Sequence, residues 1–305
     1  MDFSLLKELQ DVRATSGDEI HLKNFLLKYI QENQSNWDVQ PEIIQDRQIQ
    51  DCLILKFGKP RTAIFAHMDS IGFHAGYGSD LVKIGGPVTE TGIRLVGSDS
   101  EGEVDCEMNV DDEGRVAYNF HREIERGTTL SFKPNWRETD AFVQNCYMDN
   151  RLGVFNALKV AESLKDGLIV FSCWEEHGSA SVGYLSRFIQ ENFKVDQALI
   201  SDITWVTTGV QHGQGVAISI RDSGIARRSW INHIIDIAKK SGVPYQLEVE
   251  SAGGSDGTVL SRSAYAWDWC FIGAPEDNVH SPDEKVHKDD IYAMIDLYKV
   301  LMEKL

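Results

Sequence analysis

Two adjacent carboxylates at the end of an apolar run constrain this chain most. Gly167-Leu168-Ile169-Val170-Phe171 reads as a buried strand, and after Ser172, Cys173 and Trp174 the chain reaches Glu175 and Glu176. Gly178 and the small residues Ser179, Ala180 and Ser181 then open a helical pattern. Strand ends that face a crevice are where α/β folds put their chemistry. Neighbouring acids are costly to desolvate there unless a cation meets them. Taken alone, the same stretch also reads as a solvated loop that carries two acids by chance.

The rest of the pattern supports an α/β frame with an insertion. Phe3, Leu5, Leu6 and Leu9 form a helical stripe, and a turn at Thr15-Ser16-Gly17-Asp18-Glu19 precedes a second amphipathic helix reaching about residue 30. Strands are expected around 39–44, 52–57 and 62–66, the last apolar throughout and therefore central. From 74 to 140 helical periodicity disappears, and short β-like runs alternate with Gly, Asp and Asn turns, the texture of a small barrel or sandwich. Alternation resumes with a helix over 151–164, the Glu-Glu strand, a helix over 181–191 and strands over 197–202 and 216–220. A helix over 226–240, strands over 245–249 and 266–272, and a terminal helix over 287–305 complete the chain. The expected organisation is a discontinuous catalytic domain, 1–73 and 141–305, interrupted by a β-rich insert at 74–140.

Composition narrows the class. A chain of 305 residues with 42% apolar and 25% charged residues is an ordinary soluble globular protein. Its formal charge of -17 argues against nucleic acid and anionic membrane surfaces as partners. No apolar run approaches the length of a membrane span, and Met1-Asp2-Phe3-Ser4 is unlike a secretory signal. Five cysteines, an odd number with no CxxC pair, read as reduced core thiols of a cytoplasmic protein.

Five candidate metal ligands fall just after apolar runs or in turns beside them: His67, Asp149, Glu176, Asp202 and His280. One carboxylate bridging two ions, with one His and one further carboxylate for each, gives three protein ligands per ion and leaves a position for water. Asp69, two residues after His67, is placed to accept the other imidazole N–H and fix the tautomer. Glu175 and Glu176 need not share a role, since one can bind metal while the other works as general base. Singly, each residue has a plainer reading: a polar strand cap, a helix N-cap or a turn.

The ordered motifs resemble the dinuclear metallo-aminopeptidases of the glutamyl-aminopeptidase, or tetrahedral-aminopeptidase, family. The matching pieces are AHMDSIGF (66–73), YMDNRLGVFNAL (147–158), WEEHGSASVG (174–183), ISDITW (200–205), AGGSDGT (252–258) and VHSPDEKV (279–286), with TSGDE (15–19) as an opening turn. An insert between His67 and Asp149, rather than after the Glu-Glu pair, favours this family over a related clan of exopeptidases. The resemblance implies a three-layer α/β/α zinc-exopeptidase-like domain with an inserted β-barrel lid. It implies His67 and Asp202 on one metal, Glu176 and His280 on the other, Asp149 between them and Glu175 as general base. It also implies two divalent ions, zinc with cobalt or manganese as alternatives, a cis Asp149–Asn150 peptide, and short peptides as substrates. A homo-oligomer is expected too, a dimer or a larger hollow assembly.

Departures from the family pattern are Asn150 in place of a frequent second Asp, His177 and Ser179 after the Glu-Glu pair, and Ser70 after the HMD triplet. None removes a ligand. The turn at Gly253-Gly254-Ser255-Asp256-Gly257 is either part of the substrate-binding region or a tight turn ahead of a helix. A deacylase of N-acyl amino acids on the same scaffold is the alternative enzyme, and a non-catalytic binding protein the alternative of another class.

Overall fold

The computed structural model describes residues 2–305. Strands Gly167–Ser172, Ala63–His67, Gln197–Trp205 and Asp268–Asp277 lie side by side and parallel within an eleven-stranded sheet. They are buried nearly end to end, which is why they read as continuous apolar runs and not as alternating ones. Leu53–Phe57 and Glu42–Ile44 add antiparallel strands on one side, and Val216–Arg221 followed by Tyr245–Val249 branches from the other. Ser172 lies opposite His67 and Ile200 opposite Phe65, so the carboxyl ends of the parallel strands open into one crevice.

Helices Ser4–Asp11, Met148–Ala161, Arg228–Ser241 and Lys288–Lys304 pack as one group, and Val182–Phe193 with Asp256–Leu260 as another. The terminal helix buries Ile291, Met294, Ile295, Tyr298, Leu301 and Met302, an i, i+3, i+4 stripe with its charged face outward. Two strands run further than their apolar stretches, to Trp205 and Asp277, because buried polar residues such as Asp202, Thr204 and Glu276 continue them into the crevice. The short strands Lys285–His287, Phe142–Gln144 and Arg137–Glu138 extend the sheet and are too brief to show a period.

Between Ala63–His67 and Met148–Ala161 the chain builds a separate antiparallel sheet. Its strands are Gly72–Ala75, Leu81–Ile84, Arg94–Asp99, Gly102–Val110, Val116–Asn119 and Thr129–Phe132. A bridge between Asp80 and Ala117, with the Tyr118 N–H donating to the Ser79 carbonyl at 2.9 Å, nearly closes it into a barrel. Phe73, Leu95, Met108, Leu130 and Phe132 fill an interior distinct from the main core. The architecture is a mixed α/β layered domain with an inserted small β-barrel, the class the motifs imply. Among the described residues no helix is long and apolar enough to cross a membrane.

Candidate metal centre

His67 ends its strand, Asp202 lies within Gln197–Trp205, Glu175 and Glu176 occupy a 3₁₀ turn after Gly167–Ser172, and His280 sits in the loop before Lys285–His287. Asp149 enters from the start of Met148–Ala161, where the Asp149–Asn150 peptide is cis, as the resemblance implies. Gly153 lets that helix approach the sheet: a Cβ there would stand 2.1 Å from the Ser201 carbonyl oxygen. Asn150 locks the same junction, donating to the Ser201 carbonyl at 2.9 Å and accepting the Gly153 N–H at 2.8 Å. An ionised Asp in its place lacks the donor.

The six side chains converge. His67 Nε2 is 3.1 Å from Asp149 Oδ1 and 3.6 Å from Asp202 Oδ2. His280 Nε2 is 3.3 Å from Asp149 Oδ2 and 3.2 Å from Glu176 Oε2. The Asp149 carboxylate therefore turns one oxygen to each of two ligand triads, His67–Asp149–Asp202 and Asp149–Glu176–His280. Ligand atoms each about 2.0–2.1 Å from a tetrahedral ion lie roughly 3.3 Å apart, which is the spacing found here. Asp149 Oδ1 and Glu176 Oε1 are buried without a hydrogen-bond partner. Orphaned buried carboxylate oxygens fit cation binding. Glu175 stands beside both triads, its Oε2 3.9 Å from His67 Nε2.

The charges are strained towards a cation. Burial acts to lower both imidazoles and is outweighed by their acids. Asp202 and Asp149 drive His67 well above its ordinary value, and Asp149 and Glu176 push His280 up to about 12. Burial likewise raises Asp149, but His280 and His67 prevail and hold it below the usual carboxylate range. Burial raises Glu175 well above normal against the pull of His67, Glu176 to about 7 and Asp202 to about 6. Four acids and two imidazoles thus share too little positive charge.

Asp69 lies beside the His67 imidazole and has further partners. His67 Nδ1 is 3.1 Å from the Asp69 backbone carbonyl and 3.5 Å from its carboxylate. That carboxylate accepts the Glu175 N–H at 2.9 Å, the Glu176 N–H at 3.1 Å and the Ser16 hydroxyl at 2.6 Å. It ties the Glu-Glu turn to the His67 strand and orients both.

Two further residues escaped sequence reasoning. Arg151 is wholly buried and donates to the backbone carbonyls of Met68 at 2.5 Å, Leu9 at 3.2 Å and Val12 at 3.3 Å, clamping the segment after His67. Glu284 accepts the Asp149 N–H at 3.3 Å and the His280 N–H at 2.9 Å, so one buried carboxylate registers two candidate ligands. Non-glycine residues with positive φ crowd the same place: Tyr147, Trp174, Ser179, Asn278 and His280. Such strain costs on the order of 1–3 kcal/mol each and gathers at functional sites.

The barrel reaches this centre as well. The Val88 N–H donates to the His280 carbonyl at 2.9 Å, and at Gly85 (φ +68°) a Cβ would stand 3.1 Å from the Glu176 carbonyl oxygen. The Gly253–Gly254 turn lines the same cavity, of about 610 Å³, as Asp149, Glu176, Asp202 and His280.

Known proteins give this geometry its family. Residues 104–297 match the model of the M42 glutamyl aminopeptidases. The chain belongs to that family. A relative from Acetivibrio thermocellus, named as an aminopeptidase, is 25% identical over 99% of this chain and 98% of its own length. An aminopeptidase from the archaeon Desulfurococcus kamchatkensis superposes with a TM-score of 0.86 at 22% identity, over 99% of this M42 chain and 94% of that one. The TET1 peptidase of Pyrococcus horikoshii, described as assembling into a tetrahedron or a large octahedral shell, gives 0.84 at 20% identity over 99% of each. The M42 assignment makes the protein an aminopeptidase and fits the donor set to a metal-dependent hydrolase.

Proposed function

We propose that this M42 protein removes N-terminal residues from short peptides at a centre of two divalent ions. The observation that carries the reading is the Asp149 carboxylate, one oxygen 3.1 Å from His67 and the other 3.3 Å from His280. His67, Asp149 and Asp202 would hold one ion, and Asp149, Glu176 and His280 the other. When bound, such a pair supplies an activated water and polarises the scissile carbonyl, with zinc, cobalt or manganese all compatible with the donors.

The chain's own residues do the rest. Glu175 carries no metal-ligand role, lies within the site and takes the water proton, then returns it to the leaving amine. Its raised proton affinity, set first by burial, suits that exchange. Asp69, Arg151 and Glu284 hold the ligands in register. The acids around the centre also offer contacts to a free amino terminus, which selects exopeptidase action.

The barrel, expected at 74–140, would act as a lid and an assembly surface, its Gly85–Val88 edge already set against Glu176 and His280. Assembly into a dimer or hollow shell is supported by the TET1 likeness. Five buried, unpaired thiols suit a cytoplasmic setting.

Aminoacyl-p-nitroanilides with added zinc, cobalt or manganese test the reading beside N-acetylated controls. Metal-dependent cleavage of free-amine substrates alone is expected. Preference for the N-acetylated compounds would make the protein a deacylase.

A further inference from the structure

The cavity of the metal centre continues along the Gln197–Trp205 strand to a second set of acids. Asp202 and Thr204 are two residues apart on that strand, so their side chains share a face and stand about 7 Å apart. The Thr204 hydroxyl donates to Glu248, on Tyr245–Val249, and Asp222 and Glu250 complete the acidic wall. Asp222 and Glu248 are only 7% and 3% exposed. Among the described residues no Lys, Arg or His pairs with Asp222, Glu248 or Glu250. The neighbouring Arg221 guanidinium donates instead to the Asp222 backbone carbonyl, at 3.1 Å.

Burial raises both carboxyls, against the Gly224 N–H at Asp222 and the Thr204 hydroxyl at Glu248. Acids desolvated without a cation are costly. An independent sign points the same way: the Thr258 hydroxyl, on a side chain of the same wall only 7% exposed, has no hydrogen-bond partner. Trp205 provides an apolar flank. At Gly253 a Cβ would come within 3.4 Å of its ring, so the glycine turn closes against the indole.

We propose that this lobe receives the side chain of the substrate's N-terminal residue and selects a cationic one, lysine or arginine. The inference rests on the aminopeptidase reading of the metal centre. A methylene stem lies along Trp205, and the terminal nitrogen meets Glu248 and Asp222, in the same cavity as Asp202. Thr258 adds an acceptor for one of its protons. Arg262, exposed on the same cavity, is the opposing feature and would favour an acidic side chain if it governed selection.

The test uses the metal-loaded enzyme and two readouts. Lysyl- and arginyl-p-nitroanilides should show kcat/KM at least tenfold above leucyl and glutamyl. By calorimetry, L-lysinamide should bind at least tenfold tighter than L-norleucinamide, which has the same stem without the ammonium. Glu248→Gln, and separately Asp222→Asn, should collapse both ratios towards one. A leucyl or glutamyl preference, or norleucinamide binding as tightly as lysinamide, overturns the proposal and leaves the aminopeptidase reading intact. Failure to cleave any aminoacyl substrate defeats that reading, while the amide comparison still decides the pocket.

Discussion

In the crevice, Asp149, Glu175, Glu176 and Asp202 crowd around two imidazoles, and buried carboxylate oxygens lack partners. In the barrel several acids are paired with cations of their own. Asp105 is bracketed by Arg94 at 2.5 Å and Lys133 at 2.6 Å, and Asp99 by Arg122 at 2.6 Å. The Arg122 pair holds the Asp99 carboxyl well below the usual range. The barrel is a finished structure whose charges answer one another within reach of solvent. The crevice leaves its acids short of positive charge, which the proposed ions would supply, and its strained backbone is held by residues such as Arg151 and Glu284. Perturbations should therefore be felt strongly in one region and hardly in the other.

The largest effect separates the two adjacent glutamates. Glu175→Gln keeps the size of the side chain but cannot accept a proton, so the rate should fall on the order of 10²–10⁴-fold with metal content unchanged. Glu176→Gln should instead lose one ion per chain, with activity partly recovered by excess metal, since a neutral amide is a poor ligand. Elemental analysis beside kinetics distinguishes them, and the reverse pattern would exchange the two roles.

Next comes the clamp. Arg151→Met leaves the buried Met68 carbonyl without a partner and takes one donor each from the carbonyls of Leu9 and Val12, an orphaned buried carbonyl costing about 1–3 kcal/mol. A loss of about 2–4 kcal/mol in urea unfolding is expected, together with weakened metal binding. A near-neutral result would mean that the segment after His67 holds itself.

Glu19 sharpens the comparison through pH. Its carboxyl, pushed up to about 7 chiefly by burial and then by Asp69, accepts the Gly17 N–H at 3.0 Å and the Trp174 N–H at 3.1 Å. Between pH 4.5 and about 7 the folded state keeps a proton that the unfolded chain has lost, so stability falls as pH rises through that window. Glu19→Gln retains the acceptor without the charge. Measured on chelated protein, its advantage over wild type should be near zero below pH 4.5 and grow to about 3 kcal/mol above pH 7. An advantage independent of pH would contradict the assignment.

The smallest effect belongs to the barrel. Arg94→Ala breaks an exposed pair and should leave the unfolding midpoint unchanged within error. A clear loss there would show that the barrel's surface charges matter more than their exposure allows.

The candidate centre was legible because the residues proposed as its ligands and base sit where apolar runs stop or helices begin: His67, Asp149, Asp202 and the Glu-Glu pair each interrupt a recognisable pattern. His280, in a loop, was read from its motif. The clamp was not legible. Arg151 looks like any polar residue of an amphipathic helix until the segment after His67 is seen folded over it. Glu284 lies within the VHSPDEKV motif, where nothing in the sequence gives it a role, and only the fold brings it to the backbones of Asp149 and His280. The same holds for the acidic lobe: Asp222 follows Val216–Arg221 and Glu248 lies within Tyr245–Val249, and only the pairing of those strands brings the two acids to one wall.

Metal stoichiometry tests the central claim most directly. Chelated protein dialysed against zinc, cobalt or manganese and assayed by elemental analysis should hold two ions per chain. His67→Ala and His280→Ala should each hold one, and Asp149→Asn should weaken both sites. Because both imidazoles hold protons tightly in the metal-free chain, affinity should also rise with pH as metal displaces them. No more than one ion per wild-type chain after loading, or two firmly held ions in Asp149→Asn, would contradict a centre built on one shared carboxylate.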